Sequence, residues 1–368
     1  MKKQLLAETG SLRDQRQREF ANIWLNHGRF GILNLCPRFG KIFTTINILE
    51  KLKPDVSILV AYPDLKIKSS WEEDFKKRKY KNGNITYTTH LSLHKHKELT
   101  FDLIIIDEIH LLSEAQIEVA KEIIESHDWV LGLTGTLSSW TERTLFDELE
   151  LKVLATYPIE KAIEEGVIVD YNITVVTVPL DNKIINDYKG KKRTEKKQFD
   201  SYGWVIDQLQ REGRDTMFLR LARMRIIQNS VAKLQATKAL LNQYKDERVL
   251  VFCGVTAIAD GLGIPVYHSK AGEKKTFEDF ANGKGNHLAV VKIGNTGVTY
   301  KPLNKVIINY FDSNAENLAQ KINRCMAMEY NTPDKKAQIY IICSTEDVEK
   351  KWLKNALEFF DKTKIKYI

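Results

Sequence analysis

The sequence is poor in cysteine and has no long apolar run. Its four cysteines, Cys36, Cys253, Cys325 and Cys343, lie far apart and form no CxxC pair, so neither a zinc site nor a disulfide framework is indicated. Cys253 and Cys343 sit in apolar runs, as small buried thiols do. No stretch approaches the roughly 20 apolar residues that a membrane span needs. The opening MKKQLLAETGSLRDQRQ has no apolar core for a signal peptide. There is no repeat of fixed short period and no long low-complexity tract. A soluble, cytoplasmic protein with no membrane partner is expected.

What is present fits two domains. The 368 residues are 43% hydrophobic, with a net charge of +8, which allows a sizeable core and favours a polyanionic partner. Short apolar runs recur at Gly31–Leu35, Ser57–Ala61, Leu103–Ile106, Val130–Leu133, Val249–Cys253, Leu288–Lys292, Lys305–Asn309 and Ile339–Cys343. Such runs, apolar on both faces, suit parallel strands covered by helices on either side. Helical patterns such as Ser113–Ser126 and Val231–Tyr244 alternate with them. The fold class is therefore α/β, and two sets of runs predict two doubly wound sheets. An interruption at about 181–225 splits into a lysine-rich first half and an arginine-rich stretch, LQREGRDTMFLRLARMRIIQNS, read as helix.

The chemistry lies in an ordered pair of motifs. After the run ending near Leu35 comes Cys36-Pro37-Arg38-Phe39-Gly40-Lys41, then a helical stretch. Glycine lets the backbone approach phosphates, the helix start favours negative charge, and a lysine reaches the terminal phosphates. Further on, the strand Leu103–Ile106 ends in Asp107-Glu108-Ile109-His110. At such a strand end one carboxylate can hold magnesium through water, and the next can orient and deprotonate an attacking water.

In this order the motifs resemble those of the superfamily 2 helicases, in which DEIH is a variant of the DEAD/DEAH box. The resemblance covers nearly the whole chain and is closest to the branch-migration (UvsW-like) and restriction-subunit (Res-type) branches. It implies two RecA-like lobes, 1–157 and 158–368, with the insertion in the second, and it implies ATP and Mg2+ as cofactors. Gln17, chosen over Gln15 because Phe20, Ala21 and Trp24 follow at helical spacing, matches the adenine-reading glutamine. Arg38, Gly40 and Lys41 match the phosphate cradle, Asp107 the magnesium site, and Glu108 the catalytic acid. Tyr62, Pro63 and Lys66, with Trp71 and Phe75 beyond, resemble one nucleic-acid contact, and Thr89 another. His110, Thr134 and Thr136 resemble the elements that couple nucleotide state to that contact. Tyr157–Gly166 resembles the segment entering the second lobe. There, Gly297 matches a nucleotide contact, Lys292 and Thr296 match nucleic-acid contacts, and Gln320 and Arg324 match the last motif, whose arginine faces the phosphates.

Five positions depart from the pattern. Ile42 stands where a magnesium-binding hydroxyl is usual, Leu35 where the first cradle glycine is usual, Ala327 replaces a second arginine, and Lys292 and Thr299 occupy acidic positions. These departures weaken hydrolysis in principle. The function implied is an ATP-dependent translocase or helicase on DNA that is single-stranded, forked or branched, with RNA left open. It would serve repair, recombination or replication, as a monomer that can meet partner proteins, in a bacterial cell or phage-infected host. Two alternatives stand beside it: a hydrolysis-impaired, ATP-gated binding module, and the motor subunit of a restriction or defence complex. The run Lys189–Lys197 reads as a solvated loop or a phosphate track, and His94 and His96 as surface residues. The terminal WLKNALEFFDKTKIKY reads as a helix on the second lobe.

Overall fold

The β-branched runs form parallel strands in two separate sheets, as the alternation of strand and helix patterns predicts. The structure is a computed structural model describing residues 11–368 except 82–83, 136, 184, 189–190, 292–299, 301–302, 313–314, 327–334 and 359. The chain divides into one unit ending at Ile168 and a second spanning Val169–Ile368.

In the first unit the order is α1 (Leu12–Asn26), β1 (Phe30–Leu35), α2 (Lys41–Leu49), β2 (Ile58–Tyr62), α3 (Lys66–Lys77), β3 (Ile85–Thr89), β4 (Leu103–Asp107), α4 (Glu114–Ile124), β5 (Val130–Thr134), α5 (Ser139–Leu149), β6 (Val153–Tyr157) and α6 (Ile159–Glu164). The six strands lie in the order β3-β2-β4-β5-β1-β6, every neighbouring pair parallel. All carboxyl ends therefore share one edge, and the loops following β1, β5 and β4 are neighbours there. Every residue of β2, β4 and β5 is buried, which is why these strands are continuously apolar rather than alternating. Ile104 and Ile106 of β4 pack with Ile117, Ala120 and Ile123 of α4, whose start is fixed by a Ser113–Gln116 capping box. Gln17, Phe20, Ala21 and Trp24 form the buried face of α1. The segment Tyr157–Gly166 belongs to this unit: the Tyr157 hydroxyl donates to Glu165 at 2.7 Å, and Arg16 donates to the same carboxylate.

The second unit runs β7 (Asp170–Val178), β8 (Ile185–Tyr188), β9 (Lys191–Thr194), α7 (Glu195–Arg211), α8 (Met217–Gln228), α9 (Val231–Gln243), β10 (Val249–Cys253), α10 (Thr256–Gly261), β11 (Val266–Tyr267), α11 (Lys274–Ala281), β12 (His287–Val291), β13 (Lys305–Ile308), α12 (Ala315–Ile322), β14 (Lys336–Ser344), α13 (Asp347–Ala356) and β15 (Ile365–Tyr367). Its sheet has the order β11-β12-β10-β13-β14-β7-β15, again parallel throughout. Beneath it, Lys233 and Glu349 form an ion pair with both side chains fully buried. The Lys233 ammonium also donates to the Asn309 carbonyl at 3.3 Å, and Glu349 accepts from the Ser344 N–H at 2.6 Å.

Three expectations change in this unit. The arginine-rich stretch is two helices rather than one. α7 ends in a Schellman turn, in which Arg214 N–H donates to Leu209 O at 2.9 Å and Gly213 N–H to Gln210 O at 3.1 Å, with Gly213 at φ +69°. The lysine run is not a loop where it is described: Lys191–Thr194 pairs antiparallel with Ile185–Tyr188, Glu195 opens α7, and Lys189 lies outside the described residues. The chain end is helical only to Ala356; Ile365–Tyr367 then pairs with β7 as an edge strand.

Candidate functional site

The loop after β1 is a cradle closed by three constraints. Phe39 is fully buried, with its ring 5.6 Å from that of Phe20 and 4.9 Å from that of Tyr157. The Gln17 amide donates to the Phe39 carbonyl at 2.9 Å. Gly40 has φ +103°, and a Cβ built there would lie 2.5 Å from Gln17 Nε2, so backbone strain and the glutamine both exclude a side chain. Arg38 also has positive φ, at 68°. From β5, Gly135 closes on the same loop, where a Cβ would meet the Leu35 carbonyl at 3.1 Å and Pro37 at 3.2 Å.

Lys41 begins α2 and points at the acidic pair of β4. Its ammonium bonds to Glu108 and lies 3.8 Å from Asp107 Oδ1. Burial pulls the Lys41 pKa down, but the two carboxylates outweigh it and the net shift is upward. Asp107 is raised, chiefly by burial and further by Glu108, with Lys41 opposing. Its Oδ2 accepts from the Trp71 indole at 3.1 Å and its Oδ1 from the Glu108 N–H at 3.0 Å. The His90 ring donates from Nε2 to the Asp107 carbonyl at 2.9 Å. Glu108 stands in the left-handed region at φ 48°. That conformation costs on the order of 1–3 kcal/mol and aims the side chain back over the cradle.

His110 Nδ1 and the Thr134 hydroxyl share a hydrogen bond of 2.8 Å, and Nδ1 lies 3.5 Å from Glu108 Oε2. Burial lowers His110 to about 3 and His90 to about 4. Both rings are therefore neutral at pH 7, and the contact with Glu108 is not an ion pair. In the unfolded chain both histidines would take up protons near 6.5. Their stabilising contribution is thus complete above that pH and is lost as the pH falls towards about 4 and then about 3. The denaturant midpoint of this unit is expected to fall over that interval, and a His90→Asn, His110→Asn double variant should show a shallower fall. An equal slope in both proteins contradicts the assignment.

The remaining positions are placed as follows. Tyr62 ends β2, with Pro63 and Lys66 after it, and Thr89 ends β3, on the same sheet edge as the cradle. The Tyr62 ring faces inward at 1% exposure, 6.4 Å from that of Tyr87, and Thr89 caps a 3₁₀ turn by accepting from Ser92 N–H at 3.2 Å. Thr44 and Thr45 lie three and four residues past Lys41, are fully buried and donate to the Gly40 and Lys41 carbonyls at 3.3 and 3.1 Å, so neither stands at the helix start in place of the hydroxyl missing at Ile42. In the second unit, Gln320 lies on α12 and is half-buried. Arg324, two residues beyond the helix, is 7% exposed, and burial holds its pKa below the ordinary guanidinium value. Thr136, Lys292, Thr296, Gly297, Thr299 and Ala327 lie outside the described residues. Sequence reasoning did not find Trp71 and His90 as supports of Asp107. Both bonds join residues distant in the chain, and no local pattern announces them.

Comparison with known proteins finds matching families, a curated relative and solved structures of the same fold. The family described as Type III restriction enzyme, res subunit, matches residues 5–139, and the Helicase conserved C-terminal domain matches residues 232–329. The chain is 27% identical over 286 residues to the DNA 3'-5' translocase XPB2 of Sulfurisphaera tokodaii, covering 69% of this chain and 63% of that protein. Among solved structures, the ATP-dependent Type ISP restriction-modification enzyme LlaBIII bound to DNA aligns with a TM-score of 0.60 at 14% identity, over 97% of this chain and 31% of that one. A variant of S. cerevisiae Dbp5 bound to RNA and ADP BeF3 also aligns at 0.60, with 10% identity over 99% and 95% of the two chains. The chain thus spans less than two thirds of the length of XPB2 and about a third of LlaBIII.

Proposed function

The chain belongs to the superfamily 2 helicases, and we propose that it is an ATP-driven translocase or helicase acting on DNA. The observation that carries this reading is the Lys41 ammonium held between Glu108 and Asp107 at the mouth of a glycine-hinged cradle. A magnesium nucleotide fits these residues. The Gln17 Oε1 is buried with no partner among the described residues, an acceptor that the amino group of adenine would satisfy. Gly40 opens α2 with no side chain of its own, so its backbone can be approached closely by phosphate, and the donor set is one ammonium with two carboxylates.

ATP supplies a phosphoanhydride bond, and its magnesium ion neutralises phosphate charge. The chain's own residues would do the rest. Lys41 exchanges its carboxylate partner for phosphate oxygens, which frees Glu108 to take a proton from water. Asp107, fixed by Trp71 and its neighbouring N–H, would hold the ion through water. The His110–Thr134 bond ties Glu108 to the end of β5, a route by which the nucleotide state is passed on to the coupling segment. Gln320 and Arg324 are assigned to the phosphates by their match to the last motif. DNA is preferred over RNA because XPB2, the relative matched in sequence, is described as a DNA translocase, and monomeric action on forked or branched DNA in repair is part of the proposal.

Steady-state ATPase measured with and without single-stranded and forked DNA tests the reading. Stimulation by DNA is expected, and ATP binding without any stimulation would leave only an ATP-gated binding module. That second reading is favoured by Ile42 itself and by the full burial of Thr44 and Thr45 further along α2. Ile42→Thr is accordingly expected to raise kcat by roughly tenfold or more, within the range that one transition-state ligand supplies. Unchanged or slower turnover in that variant means the missing hydroxyl is not what limits hydrolysis. A motor subunit of a restriction complex is a third reading, suggested by the res-subunit match, and a co-purifying nuclease would support it.

A further inference from the structure

We propose that the helical hairpin α7–α8 is a docking surface for unpaired nucleic acid, on which Trp204 and Phe218 stack against bases. This rests on the nucleic-acid reading above and adds to it a site outside the helicase motifs.

The hairpin has a well-defined inside. α7 buries Glu195, Phe199, Gly203 and Ile206. Gly203 is small enough to admit Arg223 of α8, whose Nη2 would lie 3.0 Å from a Cβ there, and the same guanidinium lies 4.0 Å over the Phe199 ring. Leu180, Phe199 and Ile227 complete a small core with Ile226 and Val348. Trp204 follows Gly203 and so turns about 100° away from this contact. It is 64% exposed, and on α8 Phe218 is 80% and Met217 61% exposed. The packing of the hairpin does not use these three large side chains.

Charge selects the occupant. Residues 191–228 hold ten Lys and Arg against five Asp and Glu, so this segment carries +5 of the chain's +8. Arg211, Arg214, Arg220 and Arg225 are exposed along the same hairpin. Lys192, Lys197, Arg211 and Arg225 have no ion pair among the described residues. An apolar protein surface would strip water from those charges without replacing it. A single strand covers both needs, since its phosphates neutralise the cations and its bases present π-faces to the rings. A duplex hides those faces, so the surface should select unpaired strands and junctions.

Fluorescence anisotropy of labelled oligothymidylate and of a blunt duplex, with the full chain and no nucleotide added, tests the site. The Trp204→Ala, Phe218→Ala double variant is expected to lose roughly tenfold or more in single-strand affinity while duplex affinity stays within about twofold. Trp204→Phe should keep most of the single-strand affinity, and basal ATPase should be unchanged in every variant. Equal loss for both oligonucleotides would mean charge alone makes the contact and overturns the stacking. Undiminished single-strand binding by the double variant removes the site, leaves the proposed function standing, and gives the exposed stripe to a protein partner. Absence of binding by the wild-type chain to any nucleic acid would bring down the proposed function together with the site.

Discussion

Glu108→Gln is expected to lower DNA-stimulated ATP turnover by about 10²–10⁴-fold, the range a positioned general base supplies, while nucleotide affinity changes little. The amide keeps the size of the side chain and can still accept from the Lys41 ammonium, so the cradle stays closed, but no carboxylate remains to receive the proton of water. Lys41→Ala should act differently. It removes the group meant for the phosphates and leaves Asp107, already raised by burial, without its nearest countercharge. Both nucleotide affinity and kcat are expected to fall, and Asp107 should rise further. Separate determination of Kd for ATP and of kcat distinguishes the two variants. If Glu108→Gln weakened binding as much as Lys41→Ala while turnover per bound nucleotide held, the acid would be a structural partner of the lysine and not the base.

Glu349→Ala is expected to destabilise the second unit by roughly 3–5 kcal/mol, because breaking a buried pair leaves an uncompensated ammonium in the interior. Lys233 and Glu349 are both 0% exposed, so solvent does not screen the loss. One further bond goes with it, since Glu349 anchors the Ser344 N–H at the end of β14, while Lys233 keeps its bond to the Asn309 carbonyl after β13. For a unit of this size about 1 kcal/mol shifts Tm by roughly 2–4 °C, so calorimetry should show that transition moving down by about 10 °C. A Lys233→Met, Glu349→Leu double variant should recover most of the loss, as well-packed apolar replacements of buried pairs do. A single variant that melts with the wild type would show that water reaches the pair.

The sequence showed most where chemistry and local pattern coincide. β4 is four buried apolar residues ending in a buried acid, and Gly40–Lys41 stands between a strand and a helix, so both halves of the proposed phosphate site could be read without coordinates. The preference for Gln17 over Gln15 followed from helical spacing, and the structure buries Gln17 and exposes Gln15. What could not be read depends on long-range contact or on exposure. β6 is largely half-exposed and gave no apolar run. β7 alternates along much of its length and reads as a weaker signal than the central strands. The helix break at Gly213 lies within an arginine-rich stretch whose composition favours helix throughout. The bonds from Trp71 and His90 to Asp107 span 36 and 17 residues, beyond the reach of any local periodicity.

Trp71 has a practical consequence. It is fully buried, and its indole N–H ends on one oxygen of Asp107. An indole hydrogen-bonded to an acid emits according to the charge beside it, so the protein carries a native fluorophore joined to the carboxylate proposed to hold the metal. A divalent ion arriving at Asp107 would draw electron density from the oxygen that Trp71 touches and shift the emission with no label attached. Loading of the site can then be followed in real time and apart from hydrolysis, which matters most for an enzyme whose cradle lacks the usual hydroxyl.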